Sequence, residues 1–120
     1  IQRRCQRVGL SAMSRKSEKI GRDGDTVETW TNLKGEGEPL ELSTDFNLYA
    51  QVIGELSGAQ VGFEGSNVAV PQDTDWSVLP EGAMGHTIKL IATIPRWIRP
   101  VVEGGDEHTD VSVLIALRKV

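Results

Sequence analysis

Phe46-Asn47-Leu48-Tyr49-Ala50-Gln51-Val52-Ile53 places Phe46, Leu48, Ala50 and Val52 on one parity and Asn47, Tyr49 and Gln51 on the other. A period of two is the period of a β-strand, so the first set is expected to line a core and the second to face outward. Working toward the C-terminus, Ala59, Val61 and Phe63 repeat the pattern after a short link from Gly54 to Gly58, which predicts a hairpin. Val111, Val113, Ile115 and Leu117 repeat it again in the closing stretch Asp110 to Arg118.

The weaker segments fit the same rhythm. Thr26 to Leu33 is rich in β-branched residues and reads as a strand. Pro39 to Leu42 and Trp76 to Leu79 read as short strands. In His86 to Ile94, Ile88, Leu90, Ala92 and Ile94 share a face, while Ile91 lies on the other, which predicts cover on both sides. Pro95 to Val102 carries prolines near its start and middle, which predicts an edge strand or a bulge. The 13 glycines and five prolines supply turns between these runs. About eight short strands with frequent turn signals predict an all-β fold, an antiparallel β-sandwich of jelly-roll-like type. At 120 residues the chain is the size of one domain with one core.

Charge divides the chain. Residues 1–25 hold seven basic residues against three acidic ones, a net of +4, and the other 95 residues carry −8, giving −4 overall. No periodicity marks residues 1–25, so they are expected to form a basic extended N-terminal arm that orders on a partner, with the sandwich at 26–120. A solvated tail is the plainer alternative. Met13-Ser14-Arg15-Lys16 reads like a natural start, which would make residues 1–12 an upstream extension. Cys5 is the single cysteine, so the fold holds without an intrachain disulfide, as in an intracellular protein or an assembly made inside a cell. No run approaches the ~20 apolar residues of a membrane helix, and the first residues lack the apolar run of a secretory signal. No membrane partner is expected. The acidic body argues against nucleic acid, although the arm would permit it.

Catalytic and metal patterns are sparse. His86 and His108 stand 22 residues apart without zinc-ligand spacing. Asp73 and Asp75 could hold a calcium ion, but loop carboxylates more often cap turns. No serine sits in a nucleophile elbow, and Cys5 lies in the arm, where no oxyanion site is preorganised. Glu103, Asp106 and Glu107 crowd one glycine-containing turn and read as solvent-facing. Neither an enzyme nor a cofactor or metal is expected.

The aromatic and basic residues are the better candidates for contact. Trp97 stands between Arg96 and Arg99, and aromatic and arginine side chains dominate protein interfaces. Arg3, Arg4, Arg7, Arg15, Lys16 and Lys19 in the arm join Arg96, Trp97 and Arg99 as expected partner-binding residues. Trp30 and Trp76 are candidate ligand platforms, as is Tyr49 at a rim; buried core or subunit-interface anchors are the alternative for the tryptophans.

One series carries a resemblance. Leu48 to Gly54, then Gly58-Ala59-Gln60-Val61-Gly62-Phe63-Glu64-Gly65-Ser66-Asn67, then Trp76, then Ile94-Pro95-Arg96-Trp97-Ile98-Arg99-Pro100-Val101-Val102 and Gly104-Gly105-Asp106, resembles a family of small phage structural proteins. In layout it is also distantly similar to discoidin-like sugar-binding sandwiches. The pattern usually runs Asn-Asp-Gly after Gly-Ser, and the chain departs from it where Asn67 is followed by Val68-Ala69-Val70-Pro71, which weakens transfer of a ligand loop. The resemblance implies a virion component assembled in the host cytoplasm: a capsid decoration or cement protein on the outer surface of the head. Its partners would be the major capsid protein, copies of itself, or both. A tail or neck position and a carbohydrate-binding module are the alternatives, the last with a glycan as ligand.

Overall fold

The computed structural model describes residues 15–21 and 24–120. Among the described residues nine strands lie in two antiparallel sheets: β1 (Arg15–Lys19), β2 (Thr26–Leu33), β3 (Leu40–Glu41), β4 (Phe46–Glu55), β5 (Ala59–Ser66), β6 (Ser77–Val78), β7 (Ile88–Ile91), β8 (Trp97–Gly104) and β9 (Asp110–Lys119). One sheet runs β1-β2-β9-β4-β7 and the other β3-β8-β5-β6. The pairings nest: β2 with β9, β3 with β8, β4 with β7 and β5 with β6. Strands two to five thus form one arm of a long hairpin and strands six to nine the other. Rolled so that successive strands alternate between sheets, that hairpin is a jelly roll.

The core is what the alternation predicted in its strongest runs. Leu48, Ala50 and Val52 from β4, Val61 and Phe63 from β5, and Val111, Val113 and Ile115 from β9 are all buried. They meet Trp30, Leu33, Ile91 and Ile98 between the sheets. Each buried Val, Leu or Ile contributes roughly 1.5–3 kcal/mol over leaving it in water.

Four expectations are corrected. The β4–β5 link is not a hairpin: β4 belongs to the five-stranded sheet and β5 to the other, so the link crosses between layers. In β7 it is Ile91 that enters the core, at 1% exposed, while Ile88 and Leu90 stand 64% and 50% exposed. The strand β8 is interior, flanked by β3 and β5. Pro100 is accommodated because β3 pairs only with Trp97 and Ile98. Its carbonyl accepts from the Gly37 N–H at 2.8 Å on that side, so its missing N–H falls where β3 has ended.

The fourth concerns the arm. The expected boundary at residue 26 falls inside the sheet, because Arg15–Lys19 already pairs with β2 in register from Arg15↔Trp30 to Lys19↔Thr26. No apolar alternation marks this strand; a polar clasp holds it. The Arg15 Nε lies 2.8 Å from Oε1 of Glu28, off the line of a hydrogen bond. Its Nη1 donates to the Pro39 carbonyl, and its backbone N–H donates to Glu38. The other Glu28 oxygen accepts from the Ser17 and Thr26 hydroxyls. Glu28 is only 5% exposed, so these partners offset the cost of burying its charge.

Candidate contact face on the four-stranded sheet

Along β8 the inward residues are Ile98, Pro100 and Val102, which leaves Trp97, Arg99 and Val101 on the outer face. Register then sets their neighbours: Ser66 and Glu41 beside Trp97, Glu64 beside Arg99, and Gly62 beside Val101. Trp76, at the mouth of β6, completes the face by lying over the Arg99 guanidinium at 4.2 Å, a cation–π contact. Nε and Nη2 of Arg99 both donate to Oε1 of Glu64, at 2.9 and 2.7 Å, and Nη2 also lies 3.5 Å from Glu36. Arg99 is therefore fixed on three sides by Trp76, Glu64 and Glu36. Arg96, just before β8, pairs with Glu41 at 3.1 Å in a half-exposed setting. Half-buried Trp97 encloses its indole N–H without an acceptor. Gly62 leaves open space where a side chain would stand, so the row has a gap beside Val101.

The sequence candidates therefore separate. Arg96, Trp97, Arg99 and Trp76 come together on this one face. Trp30 does not join them and is no platform: it is fully buried, and its indole N–H donates to the Glu38 carbonyl at 3.0 Å. Its parity in β2 is that of Glu28, which points between the sheets. Gly37 makes room for it, since a Cβ there would come within 2.7 Å of the ring. Arg15 is spent in the Glu28 clasp, and Lys16 and Lys19 are exposed on β1 at the edge of the opposite sheet. Tyr49 also lies on that opposite sheet. Arg3, Arg4, Arg7 and Cys5 lie outside the described residues.

The Gly65-Ser66-Asn67 motif turns out to be structural. A Cβ on Gly65 would collide with Pro95 at 2.5 Å, so the loop can press against the start of β8 only with glycine there. Ser66 Oγ accepts from the Val68 N–H, and Asn67 Oδ1 accepts from the Arg96 N–H at 2.9 Å. This motif holds the Arg96–Trp97 corner in place. Spacing alone did not separate that role from a ligand loop.

The remaining polar groups also serve the scaffold. Asp73 and Asp75 form a 3-10 turn in which Asp75 accepts from the Gln72 N–H. Asp106 accepts from the Ser57 hydroxyl at 2.6 Å and the His108 N–H, bonds that hold its carboxyl below the usual range. Burial pushes Glu81 upward, but N–H groups of Thr93 and Ala92 outweigh it and leave its carboxyl lowered. Among the described residues no group of three or more His, Cys, Asp or Glu side chains is placed to share a metal ion. No described helix is long and apolar enough to cross a membrane. No protein-family model, no curated protein and no solved structure matches the chain.

Proposed function

We propose that this protein works by attachment, as a virion decoration or cement protein that grips the outer surface of the head shell. The contact is the Trp76–Arg99–Trp97–Arg96 face of the four-stranded sheet. The observation that carries this reading is the gathering of two tryptophans and two arginines on one outer face, with Arg99 held rigid by Glu64 and Trp76. Rigid aromatic and arginine side chains lose little entropy on binding and dominate contact energies. The jelly roll supports the reading by analogy alone, since viral capsid proteins use it, as do lectins and cupins. The capsid as partner rests on the resemblance of residues 46–118.

The test mixes purified protein with undecorated shells. Saturable binding at a fixed number of copies per shell is expected, weakened at least tenfold by Trp97→Ala or Arg99→Ala. Absence of binding to any shell overturns the proposal. A hit on a glycan array with no shell binding moves the function to carbohydrate recognition.

A further inference from the structure

The outer side of the five-stranded sheet is the less expected surface. An antiparallel sheet with one wetted face normally presents polar side chains there. Here the registers align two cross-strand rows, Glu18–Val27–Ala116–Tyr49–Leu90 and Lys16–Thr29–Leu114–Gln51–Ile88. Tyr49, Ile88 and Leu90 are 38%, 64% and 50% exposed, and Val27, Leu114 and Ala116 are half-buried. Val27, Tyr49, Ile88, Leu114 and Ala116, with Gln51, line one shallow depression that reaches Arg118, and Leu90 lies beside Tyr49 in the same row. Six apolar or aromatic residues thus form a patch bounded by charge at Lys16 and Glu18 on β1 and, beyond the first row, at Arg118, which Asp25 engages at 3.1 Å.

We propose that two copies of this chain pair face to face through these rows, about a two-fold axis that lies between them and runs across the strands. That axis sets row one of one copy on row two of the other. Glu18 then meets the partner's Lys16, and Lys16 meets the partner's Glu18. Ala116 meets the partner's Leu114, small against large; Leu90 meets the partner's Ile88, and Tyr49 the partner's Gln51. The face is self-complementary in charge and in shape, which a two-fold interface demands. An axis along the strands would instead press Lys16 and Glu18 onto the apolar β7 flank of the partner, stripping water from unpaired charges. At ordinary strand spacing the two rows cover on the order of 400 Å² per copy, about half of what a standard stable interface buries on each side. The dimer is therefore weak, in the micromolar range. The Trp97 face lies on the other sheet and stays available, so pairing and attachment can fail independently.

Sedimentation equilibrium across the micromolar range tests this with the full chain. The weight-average mass should rise from 13.1 kDa toward twice that value with concentration. Leu90→Glu, at a half-exposed position that does not threaten folding, should hold the protein at the monomer mass. Glu18→Lys alone should weaken association at least tenfold by setting like charges against each other. Adding Lys16→Glu to it should restore association, because the exchanged charges again complement one another. A monomer at every concentration overturns the proposal, including the case in which residues 1–14 cover the face. So does a dimer that ignores both Leu90→Glu and the charge exchange.

Discussion

Replacing Ile91 and Ile88 separately by alanine separates the two faces of β7. Ile91 is 1% exposed and Ile88 is 64% exposed, three residues apart in one short strand. Ile→Ala removes three carbons, and at about 0.8 kcal/mol for each buried carbon the transfer loss at Ile91 is about 2.4 kcal/mol. A residual cavity adds to this, less here than at a central strand because β7 is an edge and can partly collapse, so the total is about 2.5–4 kcal/mol. In a domain of this size that lowers Tm by roughly 10–25 °C. The Ile88 side chain keeps most of its contact with water, and its removal costs under about 1 kcal/mol. Urea unfolding followed by tryptophan fluorescence reports the difference, because Trp30 sits in the core. The titration is run at high dilution, where copies are apart. The midpoint should fall for Ile91→Ala with an unchanged slope and barely move for Ile88→Ala. An Ile88→Ala cost equal to or above that of Ile91→Ala would refute the facing of this strand.

Other expectations follow from single contacts. Glu28→Ala strands the Arg15 guanidinium and should cost about 1–3 kcal/mol, discounted because Arg15 is partly wet; hydrogen exchange of the Lys16–Lys19 amides should accelerate more than that of β9. Gly37→Ala puts a methyl group within 2.8 Å of both Trp30 and Pro100 and should destabilise by about 1–3 kcal/mol, read as a lower Tm with a shifted tryptophan emission. Acid should weaken the fold in a defined window. The Lys119 N–H, with Arg118, holds the Asp25 carboxyl low, Ser57 does so for Asp106, and backbone N–H groups do so for Glu81. Carboxylates depressed in the folded state stabilise it above their unfolded values, and that contribution is lost as pH falls through the folded values. Tm should therefore be flat from neutral pH to about pH 5 and drop below about pH 4, and Asp106→Asn should make the drop shallower.

The parts of the fold that could be seen in the sequence are those where one parity is apolar throughout and the other is interrupted by polar residues. The strands β4, β5 and β9 meet that condition, and their core residues emerge as expected. Ile88-Lys89-Leu90-Ile91 meets it too briefly to fix the facing, because both parities carry large aliphatic side chains, and only the layers decide that Ile91 goes in. Arg15–Lys19 carries no apolar signal at all; its order comes from a buried carboxylate eleven residues on in the partner strand. Trp30 looks the same as Trp76 in a list of aromatics, and Glu28 on its parity reads as an outward face, yet the space left by Gly37 and the Glu38 carbonyl that accepts its indole N–H receive it inside. At the contact face, Arg96, Trp97 and Arg99 were visible as a cluster in sequence. That Trp76 stacks on Arg99 was not, because this contact spans the crossing from β6 to β8 and depends on the nested pairing of the jelly roll.

A density map of the protein bound to its shell tests the attachment claim most directly. The account predicts the outer side of β8 against the shell, with Trp97, Arg96 and the Trp76–Arg99 stack enclosed at the contact. A map with those four side chains facing solvent, and the shell gripped by another part of the molecule, would contradict it.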